Sequence, residues 1–286
     1  MDSKIIEITA NALKINQSRI KVKERFLGGM SNYTYHLIID EQDYVARIIG
    51  DKGEAFVNFK TEKVHLELAQ KLGVTAKTLF LDLDTGFKVA EYLPGLVLSK
   101  EITNHDYQTV ATTLKKLHYS DMVANDYGLI ERLNSYQALL SNDRSEQFLK
   151  LKQEWLMMYH QTYIKHPKVF THGDAQRSNI VINQKQAYLL DFEFAGQNDP
   201  YYDIASFGNI DFLDSIKLLE VYLGEVPSEE QLNRLRFYRM YQALQWHLVA
   251  TYKAEIGLSE KLKIDFAFFA SKYLSFAQTL FNLIKE

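Results

Sequence analysis

Asp174, Asn179 and Asp191 are the residues of this 286-residue chain whose types and spacing are best suited to chemistry. Asp174 and Asn179 stand five positions apart in "FTHGDAQRSNIVI", and Asp191 follows Asp174 by seventeen, after the strand-like "AYLLDFE". Two carboxylates and an amide on adjacent loops make an all-oxygen donor set. Mg2+ takes such ligands, keeps several waters and shares the oxygens of phosphate groups, so the spacing suggests a Mg-nucleotide site. Singly, each residue has a plainer reading: Asp174 capping a turn, Asn179 in a left-handed position, Asp191 ending a strand. Their joint spacing favours the chemical reading. Thr171, His172, Gly173 and Asp174 interrupt an apolar run that resumes at Ile180, Val181 and Ile182, the pattern of a short polar loop anchored on both sides by buried segments.

The elements that must hold this loop follow from hydrophobic period. Alternating, β-branched stretches over residues 20–26, 33–39 and 44–49, separated by Gly28-Gly29 and by the polar turn 40–43, predict a three-stranded antiparallel start. Val57, Val64, Leu68 and Leu72 then recur at helical intervals up to a stop at Gly73, and "KTLFLDLDTGFKVAEYL" reads as a further strand pair turning at Asp84-Thr85-Gly86. After Pro94-Gly95 helical period dominates, apart from short strands or tight loops over about residues 168 to 193. The expectation is an α+β protein of two lobes, 1–93 sheet-rich and 94–286 mainly helical. In the last segment Phe266, Phe269, Tyr273, Phe276, Leu280 and Ile284 fall at helical spacing, as one buried face. Lys272, Gln278 and Asn282 interrupt that segment, which favours a core helix over a membrane span.

Composition narrows the function classes. With 47% hydrophobic and 24% charged residues and a net charge of −3, the chain has no electrostatic footprint for nucleic acid or an anionic membrane. It contains no cysteine, which excludes disulfides and thiolate metal sites. The opening "MDSKIIEITANALKINQS" reads as an amphipathic helix without the features of a signal peptide, so a cytoplasmic location is expected.

"HGDAQRSN" followed by "LLDFEFAG" resembles the catalytic segment of the kinase-like small-molecule phosphotransferases, a group that includes aminoglycoside phosphotransferases and choline and ethanolamine kinases. The match is to HxDxxxxN followed by a metal-binding D-x-E. Upstream, "FLGGMSNYTYHLII" resembles the group's Gly-rich turn over nucleotide phosphates, with Gly28, Gly29, Ser31 and Asn32 at the turn. "YVARIIG" sets Arg47 where the group has its phosphate-contacting basic residue, and Glu62 stands on the following helix, where a partner carboxylate is expected. "EYLPG" matches the inter-lobe hinge, whose backbone at Glu91, Tyr92 and Leu93 would meet adenine, and "LKKLH" ending at His118 matches a helix end common in the group. The resemblance spans about residues 20 to 260 and implies a bilobal protein-kinase-like fold that binds ATP and Mg2+.

It also implies roles. Asp174 orients the acceptor hydroxyl and takes its proton, Asn179 and Asp191 hold Mg2+, Glu193 is a further metal or substrate ligand, and His172 belongs to the catalytic loop, which it braces. Arg47 in place of the usual Lys, together with Gln176, is more similar to choline and ethanolamine kinases than to the antibiotic phosphotransferases. Only twelve positions separate Asp191 from Asp203 at the start of the next helix, too few for a long activation segment, so a small alcohol is favoured over a protein. A quaternary ammonium needs aromatic faces and a nearby carboxylate. Tyr241 and Trp246 in "YRMYQALQWHLVATYK", with Tyr201, Gln176 and Glu193, are the candidates, and Val249 falls where the choline kinase pattern has a second tryptophan. Choline is the expected acceptor, with ethanolamine, thiamine, an aminoglycoside, or a catalytically silent nucleotide-binding module as alternatives. The oligomeric state stays open.

Overall fold

The computed structural model describes residues 2–26, 32–98, 102–141, 145–183 and 186–286. Gly28, Gly29 and Ser31 of the expected phosphate-binding turn lie outside the described residues. Helix α1 (Asp2–Leu13) covers one face of a five-stranded antiparallel sheet of β1 (Ile20–Phe26), β2 (Asn32–Ile39), β3 (Gln42–Ile49), β4 (Thr78–Leu81) and β5 (Lys88–Glu91), in the order β1-β2-β3-β5-β4. The period-two pattern sorts the strands into two faces. Tyr35, Ala46 and Val89 form one cross-strand row and are buried in the cluster that holds Ile5 and Ala10 of α1. The next row, Thr34, Arg47 and Lys88, points the other way.

Helix α2 (Phe59–Lys71) lies between β3 and β4 in sequence, and its N-terminus is capped by Asn58, whose Oδ1 accepts from the Lys60 and Thr61 amides at 3.1 and 3.3 Å. Its buried face is Phe59, Glu62, His65, Leu66 and Ala69; Val64, expected on the inner stripe, is exposed. The inner face carries two polar residues, so apolar spacing points to the neighbouring stripe. Leu66, Ala69 and Val74 pack into the helical core rather than under the sheet, and the helix end is pinned there by Leu189 N–H donating to the Val74 carbonyl at 2.8 Å and Gln186 Nε2 to the Gly73 carbonyl at 3.0 Å.

The remainder is mainly helical. It comprises β6 (Leu96–Val97), α3 (Asn104–His118), α4 (Leu129–Ala138), α5 (Glu146–Gln161), β7 (Val169–Thr171), β8 (Ile180–Ile182), β9 (Ala187–Leu189), β10 (Gly196–Asn198), α6 (Tyr201–Phe207), α7 (Phe212–Leu223), α8 (Glu229–Glu255), α9 (Leu258–Leu262) and α10 (Phe266–Lys285). The short strands form a β6-β8-β9 sheet and a β7-β10 pair, as expected of the segment around 168 to 193. From Leu235 to Ala250, α8 is buried nearly all round, and α10 packs along it. The α10 face turned inward is Phe266, Ala270, Leu274, Ala277 and Leu280; Phe269 is exposed. Ala270 and Ala277 allow the close approach to α8; Phe266 and Leu280 of the expected face turn inward, while Tyr273, Phe276 and Ile284 are half-buried at its side. Among the described residues no helix is long and apolar enough to cross a membrane.

Candidate active site

The loop between β7 and β8 carries Asp174 and is tied down from behind. Asp203, fully buried on α6, accepts from the His172 and Gly173 amides at 2.7 and 2.8 Å, and its Oδ2 is 3.0 Å from His118 Nε2, whose other nitrogen meets Tyr222. Gly173 is held at φ +78°, where a Cβ would fall 1.9 Å from the Phe194 carbonyl oxygen, so both the conformation and the space require glycine. His172 is buried; Nε2 donates to the Leu190 carbonyl at 2.7 Å and Nδ1 accepts from the Asp174 amide at 3.2 Å. Burial pushes its pKa down, so the ring is neutral. With both nitrogens spent on the backbone, His172 braces the loop and does not touch the reacting atoms.

Asp174 Oδ2 accepts from Gln176 Nε2 and Asn179 Nδ2, each at 3.0 Å, and Gln176 is itself fixed by Asn209 Nδ2 at 2.7 Å. Burial and the nearby Asp191 charge push the Asp174 carboxyl up to about 7. That is the range of a base working near neutral pH. Asn179 also donates to the Asp174 carbonyl at 3.0 Å, which leaves its Oδ1 available to a cation. Asp191 has φ 67° and ψ 71°, a left-handed conformation uncommon for a residue with a side chain.

The sheet brings a charged layer onto Asp191. Arg47 Nη1 is 2.6 Å from Asp191 and 3.1 Å from Glu193, while Nη2 donates to Glu62 at 2.8 Å and to the Gly86 carbonyl at 3.2 Å. Lys88 Nζ reaches Glu62 at 2.9 Å and Asp191 at 3.3 Å. Asn32 Nδ2 donates to Asp191 and Glu193 at 3.2 and 3.3 Å. Burial opposes charge on Glu62 and Asp191, but Lys88 and Arg47 outweigh it and hold both carboxyls low. Glu193 goes the other way, pushed up to about 8 by burial and by the Asp191 charge. Arg47 and Lys88 thus face the three carboxyl groups of Glu62, Asp191 and Glu193.

Lys88 stands outside the motifs of the sequence. A lysine between Phe87 and Val89 in an apolar strand is the signal, because a buried ammonium demands partner carboxylates. Glu91 ends β5, and Tyr92 and Leu93 begin the connection to β6; the Glu91 and Tyr92 amides already donate to the Lys77 and Asp43 carbonyls, so among the described residues Leu93 carries the amide of the three that is left for a ligand. Tyr241 is fully buried, its hydroxyl donating to the Leu129 carbonyl at 2.8 Å, and Tyr201 is buried beneath Arg234. Both lie in the core, Tyr201 on α6 and Tyr241 on α8; α8 is buried nearly all round, so helical spacing does not select a pocket face. Trp246 does reach a cavity, a narrow one of about 20 Å3 whose walls include Phe56, Tyr136, Glu193, Gln245 and Val249.

The donor chemistry fits Mg2+. Asn179 Oδ1, Asp191 and Glu193 are all oxygen donors at one end of the cleft, and among the described residues no group of three or more His, Asp or Glu could hold a metal alone. An ion that shares phosphate oxygens and keeps its waters needs no such cage.

A family model for the phosphotransferase enzyme family matches residues 24–238. Protein LicA of Haemophilus influenzae is 25% identical over 248 residues, 81% of this chain and 73% of the relative. A choline/ethanolamine kinase family protein from Mesorhizobium loti superposes with a TM-score of 0.78 at 23% identity, covering 98% of this chain and 95% of that one. Choline kinase LicA from Streptococcus pneumoniae superposes with a TM-score of 0.74 at 22% identity, covering 95% and 98%. At these identities the structural likeness shows the fold: the kinase-like arrangement of sheet and helices expected from the sequence.

Proposed function

Because the chain belongs to the phosphotransferase enzyme family and is a kinase with an alcohol group as acceptor, we propose that it transfers the γ-phosphate of Mg-ATP to the hydroxyl of choline, giving phosphocholine. The observation that carries the acceptor reading is the clustering of Phe56, Tyr136 and Trp246 around the Glu193 carboxyl; the gap between them, about 20 Å3, has room for about one water, so an acceptor must part these side chains to enter. Aromatic faces with one acid suit a trimethylammonium group, which is attracted to π-faces and donates no hydrogen bond. Val249 lines the same cavity, so its departure from the choline kinase pattern falls on the acceptor wall and leaves Phe56 and Tyr136 as the other aromatic faces. The likeness to choline kinase folds supports this reading.

In the reaction, Asp174 accepts the hydroxyl proton as the oxygen attacks, and Gln176 and Asn179 fix the carboxylate for that task. Arg47 and Lys88 neutralise phosphate charge, and Glu62 holds both cations in place. Asn179 and Asp191, with Glu193, would hold Mg2+, which supplies charge neutralisation at the transferred phosphate. Leu93 would meet the base of the nucleotide through its backbone. We place the protein in the cytoplasm, where ATP is available.

An ADP-release assay with Mg-ATP against choline, ethanolamine, thiamine and kanamycin, with Asp174→Ala as control, tests the reading. Saturable, Asp174-dependent turnover that is highest with choline is expected, and Trp246→Ala should raise the KM for choline with little change for ATP. Higher kcat/KM with any of the other three overturns the choline assignment.

A further inference from the structure

A larger cavity, about 800 Å3, opens on the other side of Glu193, between residues 55–61 and the start of α4. Among the described residues its walls include none of Arg47, Lys88, Asp174, Asn179 or Asp191, so it is separate from the catalytic cleft and shares with the acceptor cavity only Phe56, Val57, Tyr136 and Glu193. Its size is that of a small-molecule pocket.

Two of its polar residues are incompletely satisfied. His65, on the buried face of α2, is 2% exposed, and neither ring nitrogen has a hydrogen-bond partner among the described residues. Burial and the charge of Arg132 push its pKa down to about 4, so the ring is neutral and offers one donor and one acceptor. Arg132, from α4, stands over the Tyr127 ring at 4.1 Å and makes only long hydrogen bonds, 3.4 Å each, to the Tyr127 carbonyl and the Tyr136 hydroxyl. The guanidinium lies over the Tyr127 and Phe194 rings, and among the described residues no carboxylate forms an ion pair with it. Of the acids on the same wall, Asp126 is taken by Lys168 and the Gly128 amide, and Glu193 by Arg47 and Asn32. Glu131 is exposed and sits against the Gly128 turn. A half-buried guanidinium with no carboxylate partner and a buried imidazole with no hydrogen-bond partner, in one open cavity, leave polar capacity that a ligand completes.

We propose that this cavity is a second ligand site, one that takes a small, flat apolar molecule bearing a carboxylate or phosphate. The oxyanion pairs with the planar fork of Arg132, His65 supplies the second polar contact, and the ligand body lies against Phe56, Tyr136 and Tyr159. The assignment does not depend on which alcohol is the acceptor.

Calorimetric titration of the protein with benzoate and with phenyl phosphate, with and without saturating Mg-ADP and with benzamide as the uncharged control, tests it. At least one anion should bind saturably in the presence of Mg-ADP while benzamide does not, and Arg132→Gln should weaken binding about tenfold or more, as expected for a lost charge-assisted hydrogen bond. Ser135→Phe, at an exposed position on the cavity wall, should block binding without touching Arg132, which keeps the test valid if Arg132→Gln fails to fold. No saturation by either anion at millimolar concentration, equal binding of benzamide, or binding unchanged in both variants overturns the proposal. So does binding that Mg-ADP abolishes, since the anion would then sit at Arg47 and Lys88.

Discussion

Arg47 and Lys88 stand directly opposite each other on β3 and β5, two cations on one face of the sheet sharing the buried carboxylate of Glu62. Like charges in cross-strand register repel, and here the repulsion is cancelled by an acid delivered from α2. Glu62→Gln leaves the buried layer with an excess of positive charge. A loss of about 3–5 kcal/mol is expected, read as a lower urea midpoint together with reduced turnover. A midpoint equal to that of the wild type would contradict the charge balance described for this layer.

Arg47→Lys keeps the charge but loses the fork that reaches Glu62, Asp191 and Glu193 together. With Lys88→Met it should lower kcat/KM for ATP about tenfold or more, by the loss of charge-assisted phosphate contacts, while the KM for the acceptor changes little. Steady-state kinetics with each substrate varied would check this. Wild-type kinetics in Lys88→Met would remove Lys88 from the phosphate site.

These two residues also show how far the sequence could be read. The strands, their turns and the Asp174 loop follow from period two, from Gly positions and from motif spacing, all local signals. Arg47 and Glu62 were found through the order of the motifs, but Lys88 sits 26 residues from Glu62, and their meeting depends on β5 pairing with β3. Nor could apolar spacing find the inner face of α2, because Glu62 and His65 occupy it, or choose between Tyr241 and Trp246 on a helix buried nearly all round. Burial of polar side chains is decided by partners distant in sequence, which hydrophobic period does not register.

The pKa of Asp174, raised to about 7, sets the pH dependence. A base must be ionised to work, so kcat/KM for the acceptor should rise as pH increases through about 7 and then level off. A profile flat from pH 5 to 9 would argue against Asp174 as the base.

Stability should run in the opposite direction at the same residue. The folded state holds the Asp174 proton up to about pH 7, whereas an unfolded aspartate releases it near 4, so stability falls as pH rises between those values. Asp174→Asn removes the buried charge and should raise Tm at pH 8 but hardly at pH 4, with turnover abolished. Scanning calorimetry at the two pH values would check this, and an equal shift at both would show that titration is not the cause.

Gly173→Ala places a methyl group against the Phe194 carbonyl in a left-handed conformation, and Asp203→Asn replaces one of the two oxygens that hold the His172 and Gly173 amides. The first should cost more than about 2 kcal/mol, the sum of the conformational penalty and the clash. The second should lower kcat more than it raises either KM, because the base is displaced while the binding surfaces remain. An Asp203→Asn enzyme with wild-type kcat would show that the loop holds its shape without that anchor.

Helix α2 belongs to the sheet by sequence but to the helical core by packing, through Leu66, Ala69 and Val74. At its other end α2 meets the sheet, with the Phe59 ring against Gly86 and Glu62 bonded to Arg47 and Lys88. The helix is therefore the rivet between sheet and helices, so a substitution at Glu62 loosens the join as well as the charged layer.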